Sequence, residues 1–409
     1  MPPRPIAARA PHPWRYAALY FPMGLMIGYP SVALGYLATR AGLPVSAAAA
    51  MVGSAFFAHA FKFLWAPLAD YSLSRKAWYR IAIGVMSAVL LALTATPLRS
   101  DTVPLLSLLV LVGNLAATFV AFATEGLMAF NAGTGGRARA SGWFQSGNQF
   151  GQTAGGGLGL WLTRHLPAPW MAGIALAALL VVCSLALSGL EEPDGGHEGA
   201  SVGARGREAW TELVTLLRSR PGRIGLLLAI LPIGTGSAQF LFGSLGDEWH
   251  ASADAVAFVL GIGGGVAIVA GCMAGGVLAS RLPSARAYAL ACAISAGAAL
   301  LLLVSPRTSV GYAISTLTYT FALGLCSATL TGMVLDIIGE RAAATKINVY
   351  FAMNTLFGLA MLRADGWAHD RWATGGMLLL EFGVGAACLA LFVFLESRIR
   401  GGELRRATG

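Results

Sequence analysis

The stretch FKFLWAPLADYSLSRKAWYR (residues 61–80) holds a lysine inside an apolar run, then a proline, an acid, and three cations within six residues. The residues around Lys62 continue a hydrophobic segment that begins near residue 46, so Lys62 lies within a candidate membrane helix. Pro67 removes a backbone donor and disfavours helix before it, which predicts a helix end there. Asp70 follows as a polar terminus. Arg75, Lys76 and Arg80 then form a basic loop before the next apolar run. Cations gathered between two apolar runs mark a chain that crosses a membrane repeatedly.

Working outward, the same alternation recurs along all 409 residues, which are 56% hydrophobic and only 11% charged, with mean hydropathy +0.68. Soluble domains carry roughly 25% charged residues, so a soluble enzyme is excluded. The apolar runs are continuous and do not alternate, which argues for helices and against a β-barrel. At about 20 residues per span, twelve spans are predicted: 16–38, 46–69, 80–98, 103–131, 139–162, 169–189, 223–243, 254–280, 287–305, 309–337, 343–365 and 373–396. Spans four and ten are long enough to tilt or project. The segment 190–222 turns charged, Gly-rich and then amphipathic. It reads as a central linker between two six-helix halves, 1–189 and 223–409, with a short surface helix over 208–217. No small-residue cleavage site follows the first span, so that span is expected to remain.

Of the 28 Lys and Arg residues, 21 fall in the termini, the linker and the even-numbered loops, six fall in the odd-numbered loops, and Lys62 is left in the membrane. This bias predicts both termini in the cytoplasm, and it accounts for the net charge of +9 without nucleic acid. The five cysteines lie inside apolar segments and read as small hydrophobes. FQSGNQFG (144–151) and YFAMNTLFG (350–358) sit about 206 residues apart, each after a pair of cations. AGGVLASRLPSARAY (274–288) echoes the second span and its basic loop. Two halves of like topology imply a pseudo-twofold axis along the membrane normal.

Several polar residues fall within spans. Asn114, Thr118 and Glu125 share one face of span four. An intramembrane carboxylate costs at least about 2.5 kcal/mol, so it faces a partner or a watery cavity. Glu125 reads as a proton carrier or substrate contact, or as a structural hydrogen-bond partner. Lys62 either snorkels to the interface, binds an anion, or pairs with Glu125. His59, on the same face, reads as structural. Gln145, Asn148, Gln149 and Gln152 form an amide stripe on span five, and Gly147, Gly151, Gly155 and Gly159 a small-residue stripe that admits a close neighbour. Gln239, Tyr319, Asn348 and Asn354 are the polar candidates of the second half. Asp336 and Glu340, beside Arg341, read as an inner gate together with Asp70, Arg75 and Lys76. Glu381, isolated in span twelve, ranks low. GIGGGVA (261–267) follows no strand, so helix packing explains it better than a phosphate loop. No nucleophile–base set, metal spacing or nucleotide motif appears, and no cofactor is expected.

KFLWAPLAD (62–70) with its basic loop, and AATKINVYFAMNTLFG (343–358), resemble the peptide/acetyl-coenzyme A/drug transporter branch of the major facilitator superfamily, which includes the AmpG muropeptide permeases. The branch's fourth span carries an acidic pair. AFATEGLMAF (121–130) keeps Thr124 and Glu125 and lacks the second acid. The resemblance implies a monomeric secondary transporter of the cytoplasmic membrane that takes a small-molecule substrate, with protons and membrane lipids as its other partners. It implies proton-coupled import of a muropeptide- or nucleotide-like solute. Siderophore uptake and drug efflux remain open, as does a non-transporting scaffold on the same fold.

Overall fold

The computed structural model describes residues 11–43, 51, 53–55, 57–59, 61–192, 202–230, 238–239, 242–338 and 343–407, and all regular structure among them is helical. Eight of these helices are long and apolar enough to cross a membrane. They correspond to spans one, three, four, six, eight, nine and ten, and to a last segment, Thr345–Phe392, that contains spans eleven and twelve. Span five is helical over Gly133–Thr153 and Gly159–His165. Its glycines and amides make it too polar to register as apolar. Spans two and seven fall partly outside the described residues.

Helix ends follow local chemistry. Ser74 caps the helix Arg75–Ala95, its hydroxyl accepting from the Ala77 N–H at 3.2 Å, as an N-cap serine should. Span four, Val103–Asn131, opens with Pro104 in its first turn, where the missing N–H costs nothing. At 1.5 Å per residue its 29 residues reach about 43 Å, beyond the ~30 Å hydrocarbon layer. The break between spans eleven and twelve falls at Trp372 and Ala373, where Ala373 takes φ 52° and ψ −165° inside an otherwise continuous helix.

Three expectations are corrected, and the packing reading of the 261–267 run is refined. Pro67 does not end span two. The chain makes a 3-10 turn over Lys62–Leu64, and Pro67 lies in the first turn of a new helix, Ala66–Tyr71, where proline is pre-organised. The span-five helix starts at Gly133, so Arg137 and Arg139 lie on it. The linker helix is longer than expected, Val202–Arg218. The run 261–267 spans a π-turn, Val259–Gly263, with Gly261 non-helical. Gly263 and Gly264 of that run meet Leu317 and Thr320 of span ten.

The chain divides into two compact units. The first is Met1–Gly222 with Val334–Ala352, and the second is Arg223–Met333 with Met353–Gly409. In the first unit, spans one and five touch backbone to backbone. A Cβ on Gly151 would lie 2.2 Å from the Phe21 carbonyl oxygen, and one on Gly24 would lie 2.0 Å from that of Asn148. Only hydrogen in place of a side chain permits this approach. Spans eight and ten of the second unit repeat the device, with Gly271 against the Phe321 carbonyl and Gly324 against that of Ile268. None of the five cysteines is in a disulfide, and three are buried.

Candidate functional site

The first unit buries a charged cluster. Glu125, on span four, is fully buried, and Lys62, in the 3-10 turn of span two, is 6% exposed. The Lys62 ammonium stands 3.9 Å from Glu125 Oε1, within ion-pair range and beyond hydrogen-bond length. Asn348 of span eleven donates from Nδ2 to Glu125 Oε2 at 2.7 Å. That short contact is the stronger, charge-assisted kind. The Tyr20 phenol of span one hydrogen-bonds to the same carboxyl, and its ring stacks on Phe144 of span five at 3.6 Å. Lys62 also lies 5.6 Å over the Phe351 ring, a cation–π distance. Spans one, two and eleven thus converge on one carboxyl of span four. The snorkelling reading of Lys62 fails, because its head points inward to an acid.

The 3-10 turn puts Lys62 there. It interrupts span two directly before Lys62 and releases the chain from regular helical register. The rest of the face Asn114–Thr118–Glu125 also meets span two. His59 Nε2 lies 3.0 Å from Asn114 Oδ1, and Trp65 Nε1 donates to Thr118 Oγ1 at 2.9 Å. Both contacts are structural pairings of buried polar groups. Below Glu125, Arg75 donates to the Gly126 carbonyl at 3.2 Å, and a Cβ on Gly126 would fall 2.5 Å from the Arg75 Nε. The glycine after Glu125 makes room for that guanidinium.

The amide stripe is half-buried. Gln145 is 8% exposed, and Gln152 Nε2 donates to Asn148 Oδ1 at 3.4 Å. Gln149 is likewise partly exposed. Of the gate residues, the Lys76 backbone N–H donates to Glu192 Oε1 at 3.1 Å, and Asp336 is exposed near the end of span ten. The Asp70 side chain, Glu340 and Arg341 lie outside the described residues.

The second unit holds the other candidates. Gln239 is partly exposed. Asn354 donates to the Ala229 carbonyl at 3.3 Å. The Tyr319 hydroxyl donates to Glu381, and Asp365 hydrogen-bonds with the same carboxyl. Glu381 is therefore not isolated. Asp365 is fully buried, on a helix that runs past the expected end of span eleven to Trp372. The rule that intramembrane acids seek partners would have flagged both.

The sequence profile of the Major Facilitator Superfamily matches residues 16–362. The chain belongs to the Major Facilitator Superfamily. No curated protein matches it by sequence. Solved transporters share its fold. The E. coli fucose:proton symporter FucP superposes at TM-score 0.67 and 16% identity, over 94% of this chain and 97% of that one. The human organic anion transporter MFSD10 gives 0.67 and 16%, over 93% and 98%. The proton:xylose symporter XylE gives 0.65 and 14%, over 93% and 95%. This superfamily member therefore has the twelve-helix transporter architecture, and it is a multi-pass membrane protein of a family of transporters, not enzymes. Its buried Lys62–Glu125–Asn348 cluster brings span eleven of the second sequence half against spans two and four of the first, within one compact unit.

Proposed function

We propose that this chain is a proton-coupled importer of the cytoplasmic membrane, acting as a monomer with both termini inside, and that Glu125 carries the proton. The observation behind this reading is the fully buried Glu125 held by Lys62 and Asn348. A buried carboxylate held by one lysine, one amide and the Tyr20 phenol has two states of very different charge. Ionised, it attracts Lys62 and accepts a charge-assisted bond worth about 1.5–3 kcal/mol. Protonated, it loses the Coulombic hold, and the Asn348 bond drops to the neutral range of about 0.5–1.5 kcal/mol. Asn348 and Phe351 both belong to span eleven, so proton uptake loosens the grip of Val334–Ala352 on spans two and four. That difference is what alternating access needs: one ligand biasing two arrangements of the same helices.

The amides Gln145, Asn148, Gln149 and Gln152 supply hydrogen bonds to a polar solute, while the Asn114 amide is taken up by His59 and the Val110 carbonyl. Arg75 and Lys76, with Asp70, Asp336 and Arg341, act at the cytoplasmic gate. Gln239, Tyr319 and Asn354 contribute from the second half. A muropeptide- or nucleotide-like solute is assigned from the resemblance of residues 62–70 and 343–358 to the peptide/acetyl-coenzyme A/drug branch. The test is accumulation of radiolabelled anhydromuropeptide, acetyl-coenzyme A or ferric siderophore in proteoliposomes under an imposed inward proton gradient. Accumulation of a muropeptide or of acetyl-coenzyme A, collapsed by a protonophore, supports the assignment. Accumulation of the siderophore alone replaces the solute class. Uptake indifferent to the gradient refutes the coupling.

A further inference from the structure

The second unit buries an acid pair that the chemistry of Glu125 does not use. Asp365, on the span-eleven helix, is fully buried, and Glu381 of span twelve hydrogen-bonds with it. Glu381 Oε1 accepts from the Tyr319 hydroxyl of span ten, and the Ala238 backbone N–H of span seven donates to the same carboxyl. Glu381 Oε2 is shut off from solvent and receives no donor among the described residues. The groups acting on Glu381 are thus Asp365 from span eleven, the Tyr319 hydroxyl from span ten and the Ala238 N–H from span seven, with no cation among them. Tyr319 is faced in addition by the Cys326 thiol of its own helix.

Ionised carboxyls only accept hydrogen bonds. A hydrogen bond between two of them therefore needs a proton on one. Two carboxylates at such range do not both stay ionised, least of all inside a membrane span, where charge seeks a partner. Glu125 meets that need with Lys62, and no cation acts on Glu381. A solvated acid pair is inconsistent with the full burial of Asp365. A metal ion has too few ligands here, since no group of three or more His, Cys, Asp or Glu side chains gathers among the described residues.

We propose that Asp365 and Glu381 share one bound proton at neutral pH, a second protonation site that fastens spans seven, ten, eleven and twelve of the second unit. The proton supplies the donor that Glu381 Oε2 lacks. The one negative charge left on the pair is met by the Tyr319 hydroxyl and the Ala238 N–H. Loss of the proton leaves two negative charges in contact and sets span twelve against span eleven. The pair shares no residue with the Lys62–Glu125–Asn348 cluster, so it stands or falls separately from proton coupling through Glu125.

The test is infrared difference spectroscopy on the purified full-length protein at neutral pH, wild type minus variant. The readout is the carbonyl stretch of a protonated carboxylic acid, which an ionised carboxylate lacks. Asp365→Asn abolishes one such band, because Glu381 then has three donors and no acid beside it. Glu381→Gln abolishes or shifts the same band. Tyr319→Phe loses only a hydroxyl and shifts the band, so it decides the matter should an acid variant fail to fold. Glu125→Gln leaves the band in place. A flat carboxylic-acid region in the difference spectrum of either acid variant, a band unmoved by Tyr319→Phe, or one removed by Glu125→Gln overturns the proposal.

Discussion

Replacing Glu125 by Gln removes the charge of the buried cluster and little else. The amide keeps the side-chain volume and still accepts from Asn348, but Lys62 is left with its ammonium buried and its counter-ion gone. At 3.9 Å and an effective dielectric near 20, the lost attraction is about 4 kcal/mol. Breaking a buried ion pair by removing one partner costs about 3–5 kcal/mol in general, so two independent routes agree. Both side chains are shielded from solvent, so screening does not erode this figure as it would at a surface. At about 2–4 °C per kcal/mol for a unit of this size, Glu125→Gln lowers the apparent Tm in detergent on the order of 10 °C. Lys62→Met alone lowers it comparably, because it strands the carboxylate. The double variant recovers most of the loss, since no charge then remains buried. Thermal unfolding of the wild type, both single variants and the double variant forms a complete cycle. If either single variant unfolds within 2 °C of wild type, or the double loses the sum of the two, the pair is not coupled and the reasoning fails.

Three further outcomes follow from contacts elsewhere. Gly151→Ala drives a methyl to within 2.2 Å of the Phe21 carbonyl and sharply reduces folded yield, at a cost of about 3 kcal/mol or more. Gly157→Ala, with nothing within 4 Å, leaves yield unchanged by size-exclusion chromatography. Lys346 donates to Glu212 at 3.0 Å and to the Ile338 carbonyl at 3.1 Å, so Lys346→Met releases the linker helix, which shows as faster hydrogen exchange over residues 202–218. Tyr319→Phe deletes the donor to Glu381 and costs about 1.5–3 kcal/mol, measurable as a drop in apparent Tm of several degrees.

Hydropathy made most of the fold legible. The span-four helix ends at the residues expected, and the junction of spans eleven and twelve falls where the polar break was seen, because continuous apolar length sets where a helix can cross. The glycine spacing of span five likewise foretold a close neighbour, and the fold makes that neighbour span one. The site was legible only in part. Glu125 and Lys62 stood out because intramembrane charge is costly, and their pairing was one of three open readings of Lys62, which the folded chain decides. Asn348 carries no charge and lies 223 positions from its partner, so only the folded chain reveals it. Pro67 misled because proline both stops a helix before it and starts one after it. Asp365 stands at the expected end of span eleven, where an acid needs no partner, whereas the helix continues past it to Trp372.

The most direct test of the central claim is proton movement into proteoliposomes, followed with an internal pH dye as solute is added outside. Wild type acidifies the lumen with an accumulated solute, and Glu125→Gln abolishes that acidification while still exchanging labelled solute down its gradient. Acidification by Glu125→Gln at the wild-type rate, with solute uptake intact, would contradict the account and move the proton to another group.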